Sequence, residues 1–128
     1  GRRLPEVLTV AEIDAMIEGI DLSQPEGQRN RAILEMLYSC GLRVSELCGL
    51  RISDLFLEEG FIRVKGKGEK ERLVPISGRA VHELENWFLC RNLIRIKPGH
   101  EDFVFLSLRR GTALSRITIF YWVKELAG

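Results

Sequence analysis

CGLRVSELCGLRISDL, residues 40–55, followed by IRVKGKGEKERLVPIS, residues 62–77, is the stretch whose reading decides how this chain folds. The first run reads as a short helix entered from a glycine turn. Gly41 ends the apolar helix before it, as a glycine just past a helix C-terminus commonly does. Val44, Leu47 and Cys48 fall at i, i+3 and i+4 and predict a buried stripe. Arg43 and Glu46 are three apart and lie side by side at its edge. Packing along the arginine stem leaves the guanidinium to face a cleft, with Glu46 close enough to orient it. The second run changes period. Ile62 and Val64 alternate with Arg63 and Lys65, the pattern of a half-buried strand. Gly66-Lys67-Gly68 is a turn whose glycines can take positive φ, and 71–76 returns as the second strand. Lys67 therefore stands at a hairpin tip.

An arginine on a helix and a lysine on a reachable hairpin suit a phosphate. Arginine offers a fork to two non-bridging oxygens, and lysine a movable charge or proton donor. Taken singly, each has a plainer reading. Arg43 and Glu46 make an ordinary surface pair worth roughly a few tenths of a kcal/mol, and Lys67 a solvated turn lysine. Their order and separation also resemble the catalytic domain of the tyrosine recombinases, the phage-integrase and Xer-type group. The resemblance implies that Arg43 is the first catalytic arginine, that Glu46 supports it, and that Lys67 is the catalytic lysine. It extends more weakly along nearly the whole chain. The family's His-x-x-Arg box, its second histidine or tryptophan and its nucleophilic tyrosine have no match. Tyr38 and Tyr121 each lie in an apolar helix and read as core or boundary aromatics.

The resemblance thus implies the N-terminal portion of a catalytic domain over 1–128, with 1–8 as the linker from an N-terminal DNA-binding domain. It implies a parent enzyme that breaks and rejoins double-stranded DNA through a 3′-phosphotyrosine, as recombinase protomers in a tetrameric synapse. No cofactor or metal enters that scheme, and the setting is cytoplasmic. The 128 residues alone are expected to be inactive. The alternatives are a catalytically inactive DNA-binding module of the same fold and a helical interaction domain unrelated to DNA.

Composition sets the outer bounds. With 128 residues, 45% hydrophobic and 29% charged, this is one ordinary globular domain. No apolar run reaches the ~20 residues of a membrane span, and no signal-peptide pattern opens the sequence. Three cysteines without CxxC or Cys/His spacing indicate neither a disulfide frame nor a zinc site. Net charge is only +1, but it is segregated. Residues 6–21 hold five acidic groups and no basic one, while 63–72 hold five basic groups against Glu69 and Glu71. Arg109, Arg110 and Arg116 form a second basic group. Segregation of this kind fits one DNA-facing surface. Candidate phosphate contacts are Lys65, Lys70, Arg72, Arg109, Arg110 and Arg116; for Arg116 the resemblance adds that the helix beginning L-S-R approaches DNA.

The fold class expected is α+β, mainly α-helical with a small three-stranded antiparallel sheet. Thr9 and Glu12 predict a capping box on a first helix with Val10, Ile13, Ile17 and Ile20 inward. A polar loop with Pro25 precedes a second helix over 29–40. A short strand is expected within 52–59. A long helix over 79–96 should turn Val81, Leu84 and Phe88 inward and end at Pro98-Gly99. Residues 103–105 read as a short buried segment and 108–114 as a loop. Ser115 should cap a last helix facing inward with Ile119, Trp122, Val123 and Leu126. His82 and His100 lie outside any catalytic context and read as structural. No internal repeat is evident.

Overall fold

The computed structural model describes residues 9–66, 68 and 70–127. In chain order these form α1 (Val10–Glu18), α2 (Pro25–Cys40), α3 (Val44–Cys48), a 3-10 turn (Ile52–Asp54), β1 (Leu55–Phe56), β2 (Phe61–Lys65), β3 (Glu71–Pro75), α4 (Gly78–Arg91) and α5 (Arg116–Ala127). The strands make one antiparallel sheet in the order β1-β2-β3. The expected α+β class, helices with a small three-stranded sheet, is therefore the one observed.

α1 starts where its capping box places it. The Thr9 Oγ1 accepts the Glu12 N–H at 3.2 Å, and the Glu12 carboxylate accepts the Thr9 N–H at 3.2 Å. Its core face is rotated from the expected one. Ile13 and Met16 are buried, Val10 is exposed, and Ile17 and Ile20 are half-buried. α2 begins four residues before the expected start. Pro25 occupies its first turn, where a missing N–H costs nothing. Gly27 lies inside the helix because the chain before it folds back. A Cβ there would stand 1.9 Å from the Asp21 carbonyl oxygen.

α2 and α4 share the most extensive contact between elements, and α5 packs on α1 and α3. Ala32, Ile33 and Met36 from α2 meet Leu84 and Trp87 from α4 in the core. Val104 and Phe105 complete it, with Ile119 and Val123 from α5. Trp87, and not the half-buried Phe88, is the centre of the α4 face. Its Nε1–H donates to the Val104 carbonyl at 2.8 Å, and its ring stacks on Phe105 with centroids 6.3 Å apart.

α4 ends at Arg91, short of the expected Ile96. The apolar run Leu93-Ile94-Ile96 continued the pattern, yet Leu93 is almost wholly exposed. Arg91 sends its guanidinium to the Glu101 and Phe103 carbonyls instead, which draws 101–103 against the helix end. His100 Nδ1 accepts the Ala113 N–H at 2.9 Å, the structural role expected of it. Tyr38 and Tyr121 depart from expectation: they are 48% and 70% exposed, off the buried faces of α2 and α5. The cysteines form no disulfide and pack half-buried against the core. Burial pushes the Cys40 thiol up from its ordinary value. Among the described residues no helix is long and apolar enough to cross a membrane, and no cluster of His, Cys, Asp or Glu could hold a metal ion.

Candidate active site

Gly41 caps α2 in the left-handed conformation, φ 61°, and its N–H returns to the Leu37 carbonyl. That single reversal buries Leu42 at 1% exposure and sets Arg43 as the residue before α3. Val44 and Leu47 are then buried as expected, while Cys48 is half-buried. Arg43 has extended backbone and an exposed side chain. Among the described residues the ion pairs engage Arg31, Arg63, Arg72 and Arg79, and Arg43 is in none of them.

Glu46 does orient Arg43, but through the backbone. Its Oε1 accepts the Arg43 N–H at 2.9 Å, as a carboxylate three residues into a helix can. The rest of the carboxylate faces Arg72 on β3. Arg72 Nη1 donates to Oε2 at 2.7 Å, and Nη2 donates to Oε1 at 3.1 Å. The hydrogen bonds from Arg72 hold the Glu46 carboxyl below the usual carboxylate range; those from the Arg43 backbone and the two positive charges add to this against partial burial. Glu46 in turn raises the Arg72 guanidinium.

The register explains this pairing. Ile62 lies opposite Val74 and Val64 opposite Arg72. Directly opposed side chains share a sheet face, so Arg72 stands on the face of the buried Ile62 and Val64. Arg63 opposes Leu73 and Lys65 opposes Glu71 on the other face. The signal was present in the sequence, since Arg72 has the parity of Val74 and Ile76. Lys65 and Lys70 are exposed at the hairpin end, where the Gly66 N–H donates to the Lys70 carbonyl at 2.8 Å. Gly68 takes the positive φ expected of the turn, 77°. Lys67 lies outside the described residues.

The second basic group sits elsewhere. Arg109 and Arg110 are exposed and line a cleft of about 370 Å³ with Arg29, Ser115 and Thr118. Neither Arg43, Glu46 nor Arg72 lines it. Arg116 is exposed in the first turn of α5, its guanidinium 5.7 Å from the Phe120 ring centroid. Ser115 caps that helix, its Oγ accepting the Thr118 N–H at 3.1 Å. Arg29 drew no attention in the sequence, yet it is buried, with Nη1 donating to the Leu106 carbonyl and Nε to Asn30.

A short repeat also went unseen. GLRVSEL, 41–47, is followed by GLRISDL, 49–55. Asp54 does what Glu46 does: it accepts the Arg51 N–H at 3.1 Å and pairs with a strand arginine, Arg63, at 2.9 Å. The two copies differ at the leading arginine. The Arg51 guanidinium lies 4.5 Å from the Phe103 ring centroid.

A model of the phage integrase family matches residues 6–128. The chain belongs to the phage integrase family. Its relatives are tyrosine recombinases, as the motifs implied. The protein is 40% identical over 126 residues to the tyrosine recombinase XerD of Proteus mirabilis, covering 98% of this chain and 40% of that protein. It is 44% identical over 115 residues to XerC of the same organism, covering 90% of this chain and 36% of that protein. Among solved structures it resembles the XerA recombinase, with TM-score 0.75 and 32% identity over 99% of this chain and 43% of that one. It also resembles the XerH site-specific recombinase in a post-cleavage complex with its palindromic difH substrate, with TM-score 0.76 and 30% identity over 98% of this chain and 36% of that one. This family member spans about two fifths of the length of the curated relatives it matches.

Proposed function

We propose that this chain carries the arginine and lysine portion of a DNA strand-breaking and rejoining site within a longer tyrosine recombinase. The observation that carries the reading is the GLRVSEL segment itself. It sets an exposed Arg43, absent from the ion pairs of the described residues, immediately before a helix buried by Val44 and Leu47. Lys67 follows in the sequence, between β2 and β3.

In this reading a tyrosine hydroxyl attacks the scissile phosphorus, and its proton is lost to a base. The bond to the 5′ oxygen breaks, leaving a 3′-phosphotyrosine and a free 5′ hydroxyl. Arg43 stabilises the charge growing on the non-bridging oxygens. Lys67 gives its proton to the departing 5′ oxygen. Glu46 holds the Arg43 backbone. Rejoining is the reverse. Positioning and charge do the work without a metal ion or nucleotide. Lys65, Lys70, Arg109, Arg110 and Arg116 serve as phosphate contacts that fix position and do not read sequence. Double-stranded DNA is the substrate, further protomers in a tetrameric synapse the partners, and the cytoplasm the setting. Residues 1–8, outside the described residues, link to an N-terminal DNA-binding domain.

The test is covalent trapping on a suicide DNA substrate, with the full-length recombinase and with the 128 residues alone. Full-length protein should give an adduct that Arg43→Ala removes. The 128 residues should give none. An adduct mapped to Tyr38 or Tyr121, or an undiminished adduct with Arg43→Ala, would overturn the reading.

A further inference from the structure

We propose that Arg72 is a positioning residue: its fork on Glu46 ties the β2–β3 hairpin to α3 and so sets the hairpin turn relative to Arg43. The inference rests on the proposed active site and assigns Arg72 a role other than the phosphate contact expected from its charge.

Three observations carry it. First, one carboxylate serves both sides of the site. Oε1 of Glu46 holds the Arg43 N–H at 2.9 Å and Arg72 Nη2 at 3.1 Å, while Oε2 holds Nη1 at 2.7 Å. Two parallel bonds from a planar guanidinium fix direction as well as distance, which a lysine cannot do. Second, the pair lies against the root of the turn. A Cβ on Gly66 would be 3.5 Å from Glu46 Oε2 and 3.8 Å from Arg72 Nη1, so the ion pair lies beside Gly66. Third, the same device occurs again in the second copy of the motif, where Asp54 caps Arg51 and grips Arg63 on β2. Two neighbouring strands are thus fastened by acidic residues that occupy one place in G-L-R-x-S-acid-L. The Glu46 side chain is 9% exposed and that of Arg72 47%, which puts the carboxylate beneath the guanidinium.

The tie has a consequence for β3, which is paired to β2 along its length but is otherwise mostly exposed. Of its five residues, only Val74 is not exposed. Without the fork, the hairpin would still be held to the core by Ile62 and Val64 on β2. Gly66 at the root of the turn would then be less firmly placed relative to Arg43.

The experiment is amide hydrogen exchange on the 128-residue chain, unmodified and as Arg72→Ala and Arg72→Lys, with the salt dependence of binding to duplex DNA measured on the same samples. Both variants should exchange about tenfold faster at the Arg43 and Gly66 amides, the scale of one lost charge-assisted hydrogen bond. Exchange in α2 should be unchanged, which also shows that the variants are folded. Arg72→Lys keeps the charge but not the fork, so a failure to rescue exchange identifies the geometry as what matters. The slope of log affinity against log salt should be the same for all three proteins. Unchanged exchange at Arg43 and Gly66 would overturn the proposal. So would a slope reduced by about one in Arg72→Ala and restored in Arg72→Lys, which marks a phosphate contact. A chain that binds no duplex at all would count against the proposed function, while the exchange result would still decide the tie.

Discussion

GLRVSEL and GLRISDL stand eight residues apart and do nearly the same thing. Each has a buried leucine, Leu42 at 1% and Leu50 at 2% exposure. Each has an acidic residue that caps the backbone of its arginine and holds an arginine from the sheet. The difference lies in what covers the leading arginine. A phenylalanine ring lies against Arg51, a contact worth roughly 0.5–1 kcal/mol where solvent reaches it. Arg43 has no counterpart to Phe103 among the cation–ring contacts of the described residues. The comparison teaches that the acid-capped turn is a structural clamp in both copies. The proposed function attaches to the copy whose guanidinium has no ring against it among the described residues.

The largest effect should come from the core beneath the first copy. Leu47 is 0% exposed, so Leu47→Ala should lower stability by about 2–5 kcal/mol in urea unfolding. Its counterpart Leu55 is only partly buried, and Leu55→Ala should cost distinctly less. Equal losses would mean that α3 is no better anchored than the turn that follows it.

The leading arginines should separate stability from chemistry. Arg51→Ala should cost roughly 0.5–1 kcal/mol by the same unfolding measurement and leave strand cleavage by the full-length recombinase intact. Arg43→Ala should change stability by less than about 0.5 kcal/mol, as surface substitutions do, yet abolish cleavage. Cleavage lost equally in both would erase the distinction between the copies.

A smaller effect should appear with pH. Glu46 is held below its ordinary value of 4.5 in the folded protein, chiefly by Arg72. The unfolded chain therefore takes up this proton first as pH falls. The stabilisation from the pair is complete above about 4.5, declines below it, and is gone once the folded carboxylate is protonated. The stability difference between unmodified protein and Arg72→Ala should be constant from pH 7 to 5 and shrink in more acidic solution. A difference that persists to pH 2 would show that Arg72 contributes through packing.

Much of this was legible in the sequence because local signals agreed. Thr9 with Glu12, the glycine after Cys40 and the alternation at 62–65 each point to one element. What was missed lies where distant contacts decide. The end of α4 depends on Arg91 finding carbonyls ten and twelve residues on, and nothing near residue 91 announces that. The start of α2 was hidden by Gly27, whose role comes from the Asp21 carbonyl. The grip of Glu46 on Arg72 spans 26 residues, and only strand parity hinted at it. The exposed tyrosines were misread because each sits amid apolar neighbours whose helix turns it outward.

In the proposed site Arg43, just before α3, and Lys67 act together on one phosphate. The most direct measurement is cleavage by full-length recombinase carrying Lys67→Ala, on ordinary DNA and on DNA whose 5′ leaving atom is sulfur. A thiolate leaves with little protonation, so it removes the need for a general acid. Cleavage of ordinary DNA should fall by about 10²–10⁴, and most of that loss should vanish on the sulfur substrate. An equal loss on both substrates, or full activity on ordinary DNA, would contradict the account.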